Sequence, residues 1–321
     1  GDSCILLTAY TNYAVDEICS KLREAGIDFI RIGSELMCSP AYRDNLIENR
    51  TAQCKDLGAI KELIKNTRVF CGTTSSLNGS AALFSIKSFD IAVVDEASQI
   101  LEPHLVGLMS AQCNGTEAIK KFVFIGDHKQ LPAVVQQTAD ESAVTEPELL
   151  GINLTDCRLS LFERLLRKYK DDPRYVYMLT RQGRMHRDIA MFPNISFYEN
   201  RLAVVPCPHQ EVPLPLHVDC DNGISELLST RRVVFLAAPS SPGHIESDKV
   251  NRVEAEMIAA TVVQAYRMRS VSFDVTSTIG VIVLSLAMAA ATVYDILVGY
   301  FKVEPQDATT FTVEKVVFVD A

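Results

Sequence analysis

At 321 residues the chain is long enough for about two domains, and with nearly half its residues apolar and 22% charged it can bury a sizeable core, which excludes a wholly disordered chain. A formal net charge of −9 argues against a generally basic nucleic-acid coat, although a channel needs only local cations. The nine cysteines are odd in number and include no C-x-x-C pair, so they read as reduced, cytosolic or nuclear usage rather than a disulfide framework or zinc site.

Asp2 stands where a signal peptide would be basic, so no such peptide is expected. A first strand is predicted in CILLTAY (4–10), followed by an amphipathic helix in YAVDEICSKLREAG, with Val15, Ile18 and Leu22 on one face and Gly26 as its stop. Strands follow in RVFCGTT (68–74), IAVVDEA (91–97) and KFVFIGD (121–127). The polar stretch 136–153 reads as a loop, LFERLLRKYK as a helix, and DDPR (171–174) as a hinge between two α/β units. A second group of strands is predicted in YVYMLT (175–180), RVVFLAA (232–238), TIGVIV (278–283) and KVVFVDA (315–321). The apolar run 279–301 approaches the length of a membrane span. Ser285, Thr292 and Asp295 interrupt it, and a buried strand followed by a packed helix is expected instead, in a soluble chain with no membrane partner. Val- and Ile-rich strands alternating with helices imply an α/β class with parallel sheets covered on both faces.

In such folds ligands sit outside the carboxyl ends of the strands. The polar residues just past each strand are therefore the candidates: YTN (10–12), GTTSS (72–76), DEASQ (95–99), GDHKQLPAVV (126–135) and RQGRMH (181–186). Each alone also reads as a helix cap, a turn or a surface patch. Their order and spacing carry the signal.

That order resembles superfamily 1 helicases, the branch that includes the nonsense-mediated-decay helicase and the replication helicase–nuclease. TAYTNYAVDEI is similar to their motif Ia, GTTSS to motif Ic, VVDEASQ to the Walker B motif, and FVFIGDHKQLPAVV to motif III. LTRQGRMHRDIAMFPNISFYENRL is similar to motif IV, and NRVEAEMIAATVV (251–263) to a linker helix of the second motor domain. TAYTNYAVD followed by FIRIG leans toward the replication helicase–nuclease group. The resemblance implies two RecA-like domains, 1–170 and 171–321, related to P-loop NTPases and using ATP and Mg²⁺ on single-stranded DNA or RNA.

The resemblance also implies roles. Asp95 would hold Mg²⁺ through its water shell, since that ion dehydrates reluctantly, and Glu96 would orient or deprotonate the attacking water. Gln130 would sense the γ-phosphate, with Asp127 on the nucleotide side. Arg184 would act as an arginine finger with Gln182 nearby, a task for a planar, bidentate cation. Thr11, Asn12, Thr73 and Thr74 would hold nucleic-acid phosphates with neutral donors at strand-to-helix junctions, contacts that carry no base information.

Several departures accompany the match. No Gly-Lys pair occurs anywhere, so the lysine-bearing phosphate loop and its strand are absent from these residues. Motif VI is likewise absent, and TVEKVVFVDA (312–321) compresses motif V. Gly183 stands where the family carries an aromatic, and LSLAMAA (284–290) replaces a polar stretch. Two readings stay open: the core of an ATP-dependent helicase within a larger chain, inactive alone, or a degenerate helicase-like module that binds nucleic acid or a protein without turnover.

Overall fold

The computed structural model describes residues 3–212, 223–237, 252–269, 279–283 and 316–318. The chain divides into two units, Gly1–Tyr177 and Met178–Ala321.

The first unit is built around β1 (Ile5–Ala9), whose Val/Ile/Leu-type run is flanked on both sides by other strands. β3 (Val69–Thr73) pairs with it in parallel on one side, Leu7 opposite Cys71, and β4 (Ile91–Val94) on the other, Thr8 opposite Val94. β2 (Ile30–Ile32) lies outside β3. Beyond β4, and after the small antiparallel hairpin of β5 (Gln112–Cys113) and β6 (Thr116–Glu117), comes β7 (Phe122–Phe124). The order is β2-β3-β1-β4-β7, with every pairing parallel.

Parallel sheets need cover on both faces, and both are covered here. One face buries Leu6, Ile32, Phe70, Ala92 and Val94 against Leu77, Phe89, Ile100, Leu105 and Leu161. The other packs Ala9, Val69 and Cys71 against Val15, Cys19 and Leu22 of α1 (Asn12–Glu24). Helix α1 starts where Thr11 Oγ1 accepts the Ala14 N–H at 3.1 Å. It stops at Gly26, whose φ of +67° is the left-handed turn that glycine adopts without strain.

In the second unit β8 (Arg181–Gln182) pairs in parallel with β9 (Ala203–Val204), and β10 (Val281–Val283) with β11 (Val316–Phe318). Helices run over Arg187–Phe197, Gly223–Thr230 and Arg252–Arg269; the last of these includes the expected linker helix and buries Ala255, Ala259, Val262 and Val263 against Ile279 and Val281.

Three expectations are corrected. YVYMLT forms no strand: the Tyr175 and Val176 N–H groups both donate to the Asp172 carbonyl at 3.0 Å, curling the run into a turn. Pairing begins only at its end, where Ala203 N–H donates to Thr180 O at 2.7 Å. RVVFLAA forms no strand over 232–237, where Val233, Phe235 and Leu236 are exposed and no sheet neighbour lies among the described residues. The expected loop 136–153 contains two short helices, Ala139–Ser142 and Pro147–Gly151. The first is set by a capping box in which Thr138 and Glu141 satisfy each other's backbone N–H.

The 284–290 segment, the helix expected after TIGVIV and the residues 312–315 lie outside the described residues. Among the described residues no helix is long and apolar enough to cross a membrane.

Candidate nucleotide and nucleic-acid sites

The acidic pair sits where β4 ends. Asp95 N–H donates to Thr8 O on β1 at 2.8 Å, extending the sheet by one residue and delivering the carboxylate at its edge. Asp95 Oδ1 accepts the Glu96 N–H at 3.0 Å. Glu96 adopts a left-handed backbone with φ +49°, a strained conformation for a non-glycine residue that surrounding bonds must hold. Those bonds come from the neighbouring loop. Ala97 N–H donates to Ile125 O at 2.8 Å, Ile125 N–H to Val94 O at 2.8 Å, and Asp127 N–H to Ser98 Oγ at 3.3 Å.

Gly126 makes this approach feasible, because a Cβ there would lie 2.9 Å from the Ser98 nitrogen. The structure thus brings the loops bearing Asp95, Glu96 and Asp127 side by side. Asp127 in turn organises its own turn, accepting Lys129 N–H at 3.0 Å on Oδ1 and the Gln130 amide at 3.0 Å on Oδ2. Gln130 itself is exposed, and Gln99 Nε2 donates to Glu96 Oε2 at 3.3 Å.

The second group lies at the carboxyl ends of β1 and β3. Thr11 is exposed and caps α1, and Asn12 is half-buried. Thr73 is buried, its Oγ1 accepting Ser76 N–H at 3.1 Å and donating to Ser76 Oγ at 2.9 Å. Thr74 has no exposed surface, and its hydroxyl has no hydrogen-bond partner among the described residues. Thr11 and Asn12 therefore face solvent, whereas Thr73 and Thr74 stand behind the surface.

Sequence reasoning missed Arg31. This cation sits in the middle of β2 with its side chain 1% exposed. Its NH2 lies 2.9 Å from Asp16 Oδ1, an ion-pair distance without hydrogen-bond alignment, and donates to Asn12 Oδ1 at 3.4 Å. It ties β2 to the first turn of α1, beneath Asn12. The one available signal was an arginine between two isoleucines in FIRIG.

Arg164 was missed in the same way. It lies on the inner face of helix Leu161–Tyr169, where Nε donates to Glu102 Oε2 at 2.8 Å, NH2 to Glu102 Oε1, and NH1 to Ile152 O at 2.8 Å. That anchors the helix against the segment following Asp95 and Glu96.

In the second unit, Gln182 shapes the loop that carries Arg184. Its Oε1 accepts the N–H groups of Arg184 at 3.1 Å and Met185 at 2.8 Å, while its Nε2 donates to Met185 O at 2.9 Å. Gln210, fully buried, donates to Gln182 O at 2.9 Å and Met185 O at 3.1 Å. His209 Nε2 lies 2.7 Å from Gly183 O; a carbonyl only accepts, so this nitrogen carries the proton. On this braced loop the Arg184 guanidinium is exposed, with no ion-pair or hydrogen-bond partner among the described residues. Among the described residues nothing lies within 4 Å of a Cβ built at Gly183, so their packing leaves room for a side chain there.

The acidic pair fits a magnesium–nucleotide complex on donor chemistry. Mg²⁺ keeps several waters and takes one or two carboxylates together with phosphates. Asp95 and Glu96 are half-buried rather than sealed, and no cluster of three or more metal-ligating side chains competes among the described residues.

Two family models, each described as an AAA domain, match residues 44–138 and 157–285. The chain is 34% identical over 217 residues to the DNA replication ATP-dependent helicase/nuclease DNA2 of Xenopus laevis, covering 64% of this chain and 18% of that protein. It is 31% identical over 267 residues to JHS1 of Arabidopsis thaliana, of the same description, covering 81% of this chain and 18% of the relative. It is 30% identical over 270 residues to DNA2 of Saccharomyces cerevisiae, covering 79% and 16%. The matched region therefore spans less than a fifth of the length of these relatives.

Proposed function

The chain belongs to the superfamily 1 helicases, on their replication helicase–nuclease branch, and from that premise we propose that it is part of the ATP-driven motor of a helicase acting on single-stranded DNA. The observation that carries this reading is the Asp95–Glu96 pair at the end of β4, held in a strained turn by backbone bonds to the loop of Asp127 and Gln130. Magnesium bound there with ATP would supply charge neutralisation on the phosphates. Asp95 would hold the ion's water shell, and Glu96, displayed by its left-handed backbone, would orient and deprotonate the attacking water. Gln130, exposed and steadied by Asp127, would report the state of the γ-phosphate. Arg184, unpaired on a loop fixed by Gln182, Gln210 and His209, has the freedom of charge an arginine finger requires.

The strand would lie on the exposed Thr11 and half-buried Asn12 at the N-terminus of α1, with Thr73 at the end of β3 and Thr74 at the start of the helix after it supporting them from behind. Contacts of this kind displace few counterions, so affinity would fall only modestly with salt; each neutralised phosphate adds about −0.7 to the slope for single strands.

A second reading, a helicase-like module that binds without turnover, draws on Gly183, which stands where the family carries an aromatic and has no described neighbour within 4 Å of a built Cβ.

Two measurements test the proposal. Thr11→Asp keeps a good N-cap but places a negative charge where a phosphate would sit. Its expected effect is a roughly tenfold loss of affinity for unrelated single strands, about 1.4 kcal/mol, with thermal stability retained. Unchanged affinity would remove the strand from this face. In a full-length protein carrying this chain, Glu96→Gln should abolish strand-stimulated ATP hydrolysis while nucleotide binding persists. Turnover surviving that change would overturn the catalytic assignment of Glu96, whereas no strand-stimulated turnover in the unsubstituted full-length protein would favour the second reading. The 321-residue chain alone, lacking any Gly-Lys pair, is expected to hydrolyse ATP little or not at all.

A further inference from the structure

Two thiols face each other under α1. Cys19 on the helix and Cys71 on β3 are both fully buried, 52 residues apart in sequence, with their sulfurs 3.4 Å apart. They lie in the cluster formed by Ala9, Val15, Leu22, Phe29 and Val69, and no residue of the nucleotide or strand sites uses either of them.

A buried thiol pair in an apolar layer is ordinarily inert packing. This pair is not wholly apolar in its surroundings. The Cys71 thiol is held well above the usual range by its contact with Cys19 and then by burial. Cys19 is held below that range by the same contact and, against the effect of burial, by the nearby Arg31 guanidinium. Arg31 has Nε and NH1 without hydrogen-bond partners among the described residues, so it can favour an anionic sulfur without giving up a bond to any of them. Cys19 is accordingly the thiol that ionises first, and the thiolate is the reactive form.

We propose that Cys19 and Cys71 form a disulfide site, oxidised by hydrogen peroxide, that covalently joins α1 to β3. The Cys19 thiolate attacks one peroxide oxygen. The O–O bond breaks, hydroxide leaves and takes up the proton lost from Cys19 to become water, and Cys19 becomes a sulfenic acid. The Cys71 sulfur then attacks the Cys19 sulfur as its own proton leaves. The S–O bond breaks and a second water departs. Two thiols and one peroxide give one disulfide and two waters, the peroxide taking both electrons. To bond, the sulfurs must close from 3.4 Å to about 2.05 Å. This inference stands apart from the helicase reading and does not depend on it.

The test uses the whole chain. Peroxide-treated and untreated protein is alkylated, digested without reduction and read by mass spectrometry. A peptide linking Cys19 to Cys71 should go from absent to the principal intramolecular cross-link, disappear on dithiothreitol treatment, and fail to form preferentially in urea. Cys157, which is exposed, serves as an internal control and should oxidise without pairing within the chain. Cys38, also buried and influenced by Arg31 and Cys19, is the competing thiol. Cys38→Ser should leave the Cys19–Cys71 link intact, whereas Cys71→Ser should abolish it. Cys71→Ser risks misfolding, so the native-against-urea contrast in the unsubstituted protein is the deciding measurement. Sulfinic or sulfonic acid on Cys19 without a link, or links spread over other cysteines in the folded protein, would overturn the proposal.

Discussion

The two sides of the first sheet are built from similar residues and fare differently. Every residue of β3 is buried, with β1 and β2 on its flanks and helices over both faces. On β7 the run FVFI has a strand neighbour on one side only among the described residues, and Val123 is 40% and Ile125 46% exposed. Burial thus follows from position in the sheet and not from composition. The candidate loops differ in the same sense. Those after β4 and β7 are braced by main-chain hydrogen bonds to each other. The one after β1 rests on a buried cation, Arg31 of β2, held by Asp16 and Asn12.

The largest expected contrast comes from the buried side. Phe70 is fully buried on β3, edge-on to Phe89 with ring centroids 5.5 Å apart. Phe70→Ala should cost about 3–5 kcal/mol, the range for emptying a core aromatic site. Urea unfolding of the first unit's transition would show this as a lower midpoint with an unchanged slope. A cost near 1 kcal/mol would mean that the β3 side is no better packed than the β7 side.

Strands β1, β3, β4 and β7 were legible because each is a short run rich in apolar, largely Val, Ile, Leu or Phe, residues that ends in polar ones, and α1 because its apolar spacing ends at a glycine; the hairpin of β5 and β6, QC and TE, carries no such signal. β2 was read only as part of a motif: it is three residues long and centred on an arginine. YVYMLT and RVVFLAA have the same β-type composition as β1 and β7 yet form no strand over 175–180 or 232–237. A strand exists only with a partner, and composition does not name one. The acidic pair was legible because its two residues are adjacent. The supports of Arg184 were not, since Gln210 and His209 reach its loop from more than 20 residues away. Arg31 and Arg164 escaped for a related reason: a buried ion pair is a long-range fact.

A smaller effect is expected at the buried cation. Asp16→Ala leaves the Arg31 charge in the interior with Asn12 alone. Removing one member of a fully buried pair costs about 3–5 kcal/mol; the Asp16 side chain is 20% exposed, so a loss nearer about 2–3 kcal/mol is expected. Adding Arg31→Met should recover much of that loss, because the uncompensated charge goes with it. If the double variant is as unstable as Asp16→Ala, the charge is not the cause, and the loop after β1 does not rest on it in the way described.

The smallest effect makes the sharpest comparison, because one chemical change is placed in two positions. Val94 on β4 is fully buried and Val123 on β7 is 40% exposed. Val→Thr alters volume little and swaps a methyl for a hydroxyl. At Val94 the hydroxyl leaves water for a buried layer beside Leu6 and Ala92, opposite the buried Thr8 hydroxyl; even with that neighbour, burying the polar group costs about 1 kcal/mol. At Val123 the hydroxyl reaches water, and the change should stay within about 0.5 kcal/mol. Equilibrium unfolding of the two variants side by side measures the difference, which should exceed the spread between repeats. Equal costs at the two sites would show that β7 is as deeply covered in solution as β4, and the contrast between the two sides of the sheet would then fail.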